Sequence, residues 1–391
     1  MPTIKALSLF ANVGIAEAYL KKIGIDVLLA NEIDERRAKF YSEVYPHTEM
    51  ICGDITNSKT RKQIVDKSNN YKIDLIMATP PCQGMSIAGN MDPTDERNQL
   101  IYYAVDVIKK VKPKFVFLEN VPRTLVTKIK IGNDIMLIPD YLKKVLGVSY
   151  NFNTQTLVKA MDYGVPQMRE RNIFLLTRKD LNIKWEFPQK DKKIITLREA
   201  IGHLPSLSPL LREGYTDTIK LFPNFEKQKA EGLKISKWHY PPTHNKRQVI
   251  WMMHTPSGQS AVNNKKFYPR KPDGTRIVAH YNHYRRQNWD KPSRTITQNN
   301  GVISSLCCVH PGREYKVGSC ILYSDPRVFT IYELMIISSL PLDWNIPSWA
   351  EDSFIRNVIG EGIPPLLVKK IMQSLIKKLG DRYGKDCYAK K

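Results

Sequence analysis

The sequence predicts an α/β fold: a doubly wound, mostly parallel sheet with a smaller irregular region attached. Three observations carry that prediction. Short β-type runs alternate with helical stretches over residues 1–180, this texture breaks up over 181–325, and helical patterning returns over 326–391. At 391 residues the chain can bury a large core and suits one big unit beside a smaller one.

The elements follow in order. Ile4 to Phe10, Val27 to Ala30, Leu75 to Ala78, Phe115 to Leu118 and Ile173 to Leu176 are dense in branched and aromatic residues and read as strands. Ile15 to Ile23 and Gln99 to Val111 carry helical periodicity, and Pro113 stops the second before its strand. Asn153 to Val158 is a further β-type stretch. Over 181–325, prolines, glycines, asparagines and aromatics interrupt short segments with no sustained period. Ile331 to Ser339 and Pro365 to Leu379 read as helices, and no internal repeat is visible.

Composition narrows the partners. Lys and Arg number 60 against 38 Asp and Glu, a formal charge of +22 that concentrates polyanions, so nucleic acid is the first partner to consider. The positive field is local: residues 181–325 hold 24 Lys or Arg against 11 acids. The start, MPTIKALSLF, lacks a secretory signal, and no apolar run approaches membrane-spanning length. A soluble, cytoplasmic protein without a membrane partner is expected. The six cysteines show no zinc-type spacing and no disulfide pattern, which argues against a metal site and for weighing each thiol alone. Cys52 and Cys320 are expected to be small buried apolar residues.

Three weak signals in order point to a nucleoside cofactor. Strand Ile4 to Phe10 runs into Ala11-Asn12-Val13-Gly14 and then a helix start, an arrangement that offers amides to a ligand. The second strand ends at Asn31-Glu32, where an acid can accept ribose hydroxyls. Cys52-Gly53-Asp54-Ile55 then places an acid and an apolar residue where an adenine amine and ring face would lie. A nucleophile follows the fourth strand: Thr79-Pro80-Pro81-Cys82-Gln83-Gly84-Met85-Ser86 delivers Cys82 from a rigid double proline at a strand's C-terminal end. Glu119-Asn120-Val121 ends the next strand, and Gln167-Met168-Arg169-Glu170-Arg171 follows the Asn153 to Val158 stretch. This set suits C5 chemistry on cytosine, whose ring becomes nucleophilic at C5 only after a thiolate adds to C6 and N3 is loaded with a proton. Cys82 would add, Glu119 would bind N3 and the exocyclic amine, and an Arg would hold O2.

At these residues the chain resembles the DNA (cytosine-5-)-methyltransferase family of prokaryotic restriction-modification type, from Leu7 to about Leu367. FANVG, PCQGMS, Arg97-Asn98-Gln99-Leu100, ENV, QMRER, RVFTIYE at Arg327 to Glu333, and Gly360-Glu361-Gly362-Ile363-Pro364-Pro365 are similar to seven family motifs in order. The resemblance implies a Rossmann-like fold using S-adenosyl-L-methionine. It implies a catalytic and cofactor-binding domain at 1–180, a target-recognition domain at 181–325, and C-terminal helices at 326–391 returning to the catalytic domain. Implied cofactor contacts are Phe10, Asn12, Gly14, Glu32, Ile33, Asp54, Ile55, Pro81, Leu100 and Glu361. The implied catalytic group is Cys82, Glu119 and Arg171, with Arg169 in support. Ser86 would approach a DNA phosphate, and the target cytosine would be flipped out of the duplex. Duplex DNA is the implied partner of a monomer, with a cognate restriction endonuclease acting separately.

Two departures stand out. The family's first motif has glycines where Asn12 and Ile15 stand, and its tenth reads Gly-Asn where this chain has Gly360-Glu361. A carboxylate there would repel the cofactor's own carboxylate, so Glu361 is expected to face the ammonium group, or to turn away while Asn12 takes over.

Between 241 and 300 there are 11 Lys or Arg and two acids, interleaved with Trp251, Tyr268, Tyr281, Tyr284 and Trp289, a mixture suited to phosphates and base edges. Arg285 and Arg286 are the candidate DNA-binding residues there. Rival readings are an RNA (tRNA) cytosine-5 methyltransferase and a catalytically dead DNA-binding regulator. Methylation of exocyclic amines is disfavoured by the thiol after Pro-Pro, and a dehydrogenase would leave Cys82, Glu119 and the Arg pair without a role.

Overall fold

A computed structural model describes residues 3–81, 99–132 and 134–388. Cys82 and Ser86 lie outside the described residues, as do Arg97 and Asn98. The strands in chain order are β1 (Ile4–Leu9), β2 (Ile25–Glu32), β3 (Glu49–Cys52), β4 (Leu75–Ala78), β5 (Phe115–Asn120), the hairpin β6 (Lys128–Ile131) and β7 (Asp134–Leu137), β8 (Tyr150–Phe152), β9 (Leu157–Lys159), β10 (Gln167–Met168) and β11 (Glu170–Arg178). The central sheet runs β3-β2-β1-β4-β5-β11-β8, with β9 also paired to β11. The first five strands are parallel and β11 is antiparallel to β5, β8 and β9. The sheet is therefore mixed, parallel from β3 to β5 and antiparallel beyond.

Residue alternation explains why helices cover both faces. Ile76, Ala78, Val116, Leu118, Phe174 and Leu176 face one core with α2 (Ser58–Tyr71), α3 (Leu100–Val111) and α4 (Ile138–Leu146). Leu75, Met77, Phe115, Phe117, Ile173 and Leu175 face the other, against α11 (Pro365–Tyr388). β1 alternates in the same way, Ile4 and Ala6 facing one core and Leu7 and Leu9 the other; its register with β2 shifts between Ala6 and Leu7, where β2 carries the extra residue Leu28, so that Leu28 and Leu29 both pack on the same core.

The five anticipated strands and the helices from Gln99, Ile331 and Pro365 are present. Two stretches differ. Residues 15–23 form successive turns, with Ala18 N–H to Ile15 C=O, Leu20 to Glu17 and Ile23 to Leu20, and only Lys21–Ile23 as a short 3₁₀ turn. Every bond there spans three residues, which winds the chain more tightly than an α-helix. Glu17 is held inside, accepting from Ser8 Oγ at 2.5 Å. The stretch Asn153 to Val158 is split because the Asn153 carboxamide inserts into the ladder: Leu175 N–H donates to its Oδ1 at 3.0 Å, and its Nδ2 donates to the Ile173 carbonyl at 3.1 Å.

The region after β11 has more helix than its sequence suggests: α5 (Leu197–Ile201), α6 (Tyr215–Leu221), α7 (Phe225–Ile235) and α8 (Lys246–Met253). They are short, and α5 has a capping box between Thr196 and Glu199. α9 (Ile331–Ile337), capped likewise by Thr330 and Glu333, leads to α10 (Asp352–Glu361), an unanticipated helix whose last turn carries Gly360 and Glu361. Among the described residues, no helix is long and apolar enough to cross a membrane, and no cluster of His, Cys, Asp or Glu could hold a metal ion. Cys52 and Cys320 are exposed, contrary to expectation, because each lies at a strand end; Cys307 and Cys308 are the buried thiols.

Candidate active site

β4 and β5 run parallel, so their C-terminal ends lie side by side. From the end of β5, Asn120 Nδ2 donates to the Pro80 carbonyl at 3.1 Å, and its Oδ1 accepts from Val121 N–H. One buried carboxamide thus ties the double-proline turn to the strand that carries Glu119. β11 pairs antiparallel with β5 and brings Arg171 to Glu119, with Nε 2.7 Å from Oε1 and both side chains largely buried. Burial pushes the Glu119 carboxyl above its usual range, while the Arg171 and Arg169 charges oppose the rise. The result is an acid biased toward holding a proton next to a fixed cation.

Arg169 is placed differently. It is buried, and its guanidinium donates to the Ile296 carbonyl at 2.9 Å and to the carbonyls of Gly360 and Glu361 at 3.0 and 2.7 Å. It clamps the end of α10 at the strand ends and supports Glu119 through charge at a distance.

At the other end of the parallel half, Phe10, Asn12 and Gly14 all have left-handed backbones, with φ of 58°, 50° and 79°. The loop is held by its neighbours: Ala11 N–H donates to the Asn31 carbonyl, and Asn12 N–H to Glu32 Oε2 at 2.8 Å. Glu32 Oε1 also accepts from the amides of Ile33 and Asp34, so ribose hydroxyls would share this carboxylate with three backbone amides. Ile33 is 62% exposed beside it, and Asp54 is exposed at the end of β3. Asn12 Oδ1 is buried without a hydrogen-bond partner. An acid for hydroxyls, an exposed apolar residue for a ring, a second acid for an amine and an orphaned acceptor fit a nucleoside with a polar tail.

Two of the expected contacts have close neighbours within the protein. At Gly14 a Cβ would meet the Tyr45 ring at 2.2 Å, and the Tyr45 hydroxyl donates to the Gly14 carbonyl. Ile55 is 3% exposed within the core under α2, leaving Ile33 as the exposed apolar residue. Leu100 is half-buried at the start of α3, Pro81 is exposed after β4, and Phe10 packs on the core at the end of β1.

Glu361 and Asn12 are in direct contact. Asn12 Nδ2 donates to Glu361 Oε2 at 2.7 Å, Gln298 Nε2 donates to Oε1 at 2.5 Å, and Arg37 pairs with the same carboxylate at 2.9 Å. Arg37 was invisible to sequence reasoning, since it lies on α1 (Glu35–Val44) with 323 residues separating it from its partner. Its one local signal is Asp34, whose side chain caps α1 by accepting from Arg37 N–H.

Comparison with known proteins gives the family and the fold. The family model described as C-5 cytosine-specific DNA methylase matches residues 4–377. The chain belongs to that family. Type II methyltransferase M1.HgaI of Avibacterium volantium is 39% identical over 380 residues, covering 96% of this methylase and 99% of the relative. Type II methyltransferase M.XorII of Xanthomonas oryzae pv. oryzae is 26% identical over 95% of the chain and 84% of its own length. In fold, a DNA modification methyltransferase encoded within an E. coli prophage superposes with TM-score 0.66 at 22% identity, covering 97% of this chain and all of that one. Spodoptera frugiperda DNMT2 superposes with TM-score 0.56 at 17% identity, over 96% of this chain and all of its own. The methylase thus has the fold of S-adenosylmethionine-dependent methyltransferases, and its enzyme class is DNA cytosine-5-methyltransferase.

The basic region of the methylase sorts into buried and exposed groups. Arg286, expected at DNA, is fully buried, and its guanidinium donates to the carbonyls of Met252, His310, Tyr323 and Asp325. A guanidinium enclosed this way holds loops together and reaches no duplex. Trp251, Tyr284 and Trp289 are likewise core residues. Arg285 is half-buried, its guanidinium 5.5 Å from the ring of the exposed Tyr281. The sequence reading missed Arg270 and Arg276, which are exposed and whose guanidinium groups lie 4.4 and 4.5 Å from the centre of the Tyr268 ring.

Proposed function

We propose that this methylase modifies C5 of one cytosine in a specific duplex DNA sequence, as the modification half of a restriction-modification system whose endonuclease acts separately. The observation that carries this reading is the Glu119–Arg171 pair, set beside the double-proline turn through Asn120. In this reading the target cytosine leaves the stack and its pyrimidine edge meets that pair. Glu119 delivers a proton to N3 and accepts from the exocyclic amine, while Arg171 holds O2. The Cys82 thiolate adds to C6, and the electron pair moves through the ring to C5. S-adenosyl-L-methionine, when bound, supplies the methyl group that C5 accepts. The N3 proton returns to Glu119, the C5 proton is lost to a base, and the C5–H bonding pair re-forms the C5=C6 double bond and expels the Cys82 thiolate.

Glu32, Ile33, Asp54, Asn12 and Glu361 would hold the cofactor, with Phe10, Pro81 and Leu100 at its edges. Region 181–325 would recognise the target, Arg285, Arg270 and Arg276 would face the duplex, and Ser86 would approach a phosphate. The protein would act as a cytoplasmic monomer on DNA.

The test is incubation with S-adenosyl-L-methionine and a random-sequence duplex library, followed by bisulfite mapping. Methylation confined to one context is expected, and Cys82→Ser should abolish it. A parallel duplex carrying 5-fluorocytosine in that context, which has no C5 proton to lose, should trap the protein covalently. Cofactor binding without any DNA methylation would overturn the reading and direct attention to RNA.

A further inference from the structure

A closed circuit of contacts joins the two ends of the cofactor site. The Glu32 carboxylate accepts from the amides of Asn12 and Asp34. The Asp34 side chain accepts from Arg37 N–H and so fixes the first turn of α1. The Arg37 guanidinium meets Glu361, Nη1 at 2.9 Å from Oε2 and Nη2 donating to Oε1 at 3.1 Å, and Nη2 also donates to Asn357 Oδ1 at 3.4 Å. Glu361 Oε2 then accepts from Asn12 Nδ2, whose backbone amide is where the circuit began. The Glu361 backbone cannot retreat, because Arg169 holds its carbonyl.

We propose that Arg37 and Glu361 form a charge pair that reads the zwitterionic amino-acid end of the methyl donor. The inference rests on the methyl-donor reading above. Alone, a carboxylate at 361 would repel the cofactor's carboxylate. Beside Arg37 it is neutralised, and the pair presents a cation and an anion together, the complement of an ammonium and a carboxylate on one carbon. Both side chains keep partial exposure, 25% for Arg37 and 18% for Glu361, so the pair remains accessible to a ligand. Asn12 Oδ1, buried and unpartnered, is an acceptor suited to the ammonium. Arg37 therefore compensates for the acid at 361. Through Asp34 and Glu32 it also couples recognition of the tail to recognition of the ribose.

Calorimetric titration of the full-length protein with two probes tests this without turnover: S-adenosylhomocysteine, which carries the amino-acid end, and 5′-methylthioadenosine, which lacks it. Arg37→Ala should weaken the first by about tenfold or more and the second by less than about twofold. Arg37→Gln, which keeps a hydrogen-bonding side chain, serves if the alanine variant does not fold. In a Glu361→Gln background the same change at Arg37 should cost less, because the pair is already broken. Equal losses for both probes, no loss for either, or the same cost in both backgrounds would overturn the charge-pair inference and leave the methyl-donor reading standing. Wild-type protein that binds neither probe would remove both.

Discussion

Glu119 and Glu17 are both buried acids whose proton affinity is raised, yet they serve different ends. For Glu119, desolvation wins over the charges of Arg171 and Arg169, so the protonated acid persists above the ordinary carboxylate range. Methylation at limiting substrate should therefore fall as pH rises through that raised value, and Glu119→Gln, which cannot donate an acidic proton, should lose activity by roughly 10²-fold or more. A pH–rate profile with no such limb in single turnovers would exclude Glu119 as the proton donor. Glu17, raised to about 7 by burial, binds its proton more tightly folded than unfolded. Its contribution is present below the usual 4.5 and is lost as pH climbs through about 7. The full swing is on the order of 3 kcal/mol, so Glu17→Gln, which keeps an acceptor for Ser8, should raise stability at pH 8 and flatten the pH dependence between 5 and 8. Thermal melts across that range decide it; parallel curves for the two proteins would mean that Glu17 does not titrate there.

At the scale of elements, the strands were legible because two-residue alternation and Pro-terminated runs are local signals. Leu75 to Ala78 and Phe115 to Leu118 state their two faces directly, and the sequence placed Glu119 at the end of β5 and Glu32 at the end of β2, where the structure has them. Residues 15–23 misled because helical periodicity records which side chains are buried, and a chain of turns can bury the same ones. Arg286 misled because a charged residue in a basic segment looks solvated until its carbonyl partners, up to 39 residues away, are known. Arg37 was silent for the same reason. The end of α10 shows how far such distant constraints reach: a Cβ on Gly360 would lie 2.2 Å from the Thr297 carbonyl, backbone against backbone. Gly360→Ala should therefore displace the last turn that carries Glu361, costing about 1–3 kcal/mol of overpacking and weakening cofactor binding as well. Denaturation midpoints and calorimetry on one preparation check both halves, and an alanine variant unchanged in both would show that the turn can move freely.

Over the whole molecule, charge is divided between a buried network that builds the structure and an exposed set available to DNA. Arg327 is fully enclosed. It donates to both oxygens of Glu333 at 2.8 and 2.9 Å, to Asp325 at 2.9 Å and to the Leu207 carbonyl at 2.7 Å. Asp325 in turn accepts from Leu207 N–H and Ser206 Oγ, and Glu333 closes the cap of α9, so one cation joins segments more than 100 residues apart. Arg327 and the surrounding hydrogen bonds hold Glu333 ionised, down to about 2, against the opposing effect of its burial. A surface pair would contribute little, but here removal of the cation strands two carboxylates in the interior. Arg327→Met should therefore cost about 3–5 kcal/mol, and adding Asp325→Asn and Glu333→Gln should recover part of it by removing the stranded charge. Urea denaturation of the three proteins measures both steps. A loss below about 1 kcal/mol for Arg327→Met, or no recovery in the triple variant, would mean that packing rather than charge holds this junction. Recovery of stability together with sequence-specific methylation would show that the network acts as scaffold and that its buried charges are not needed for DNA recognition.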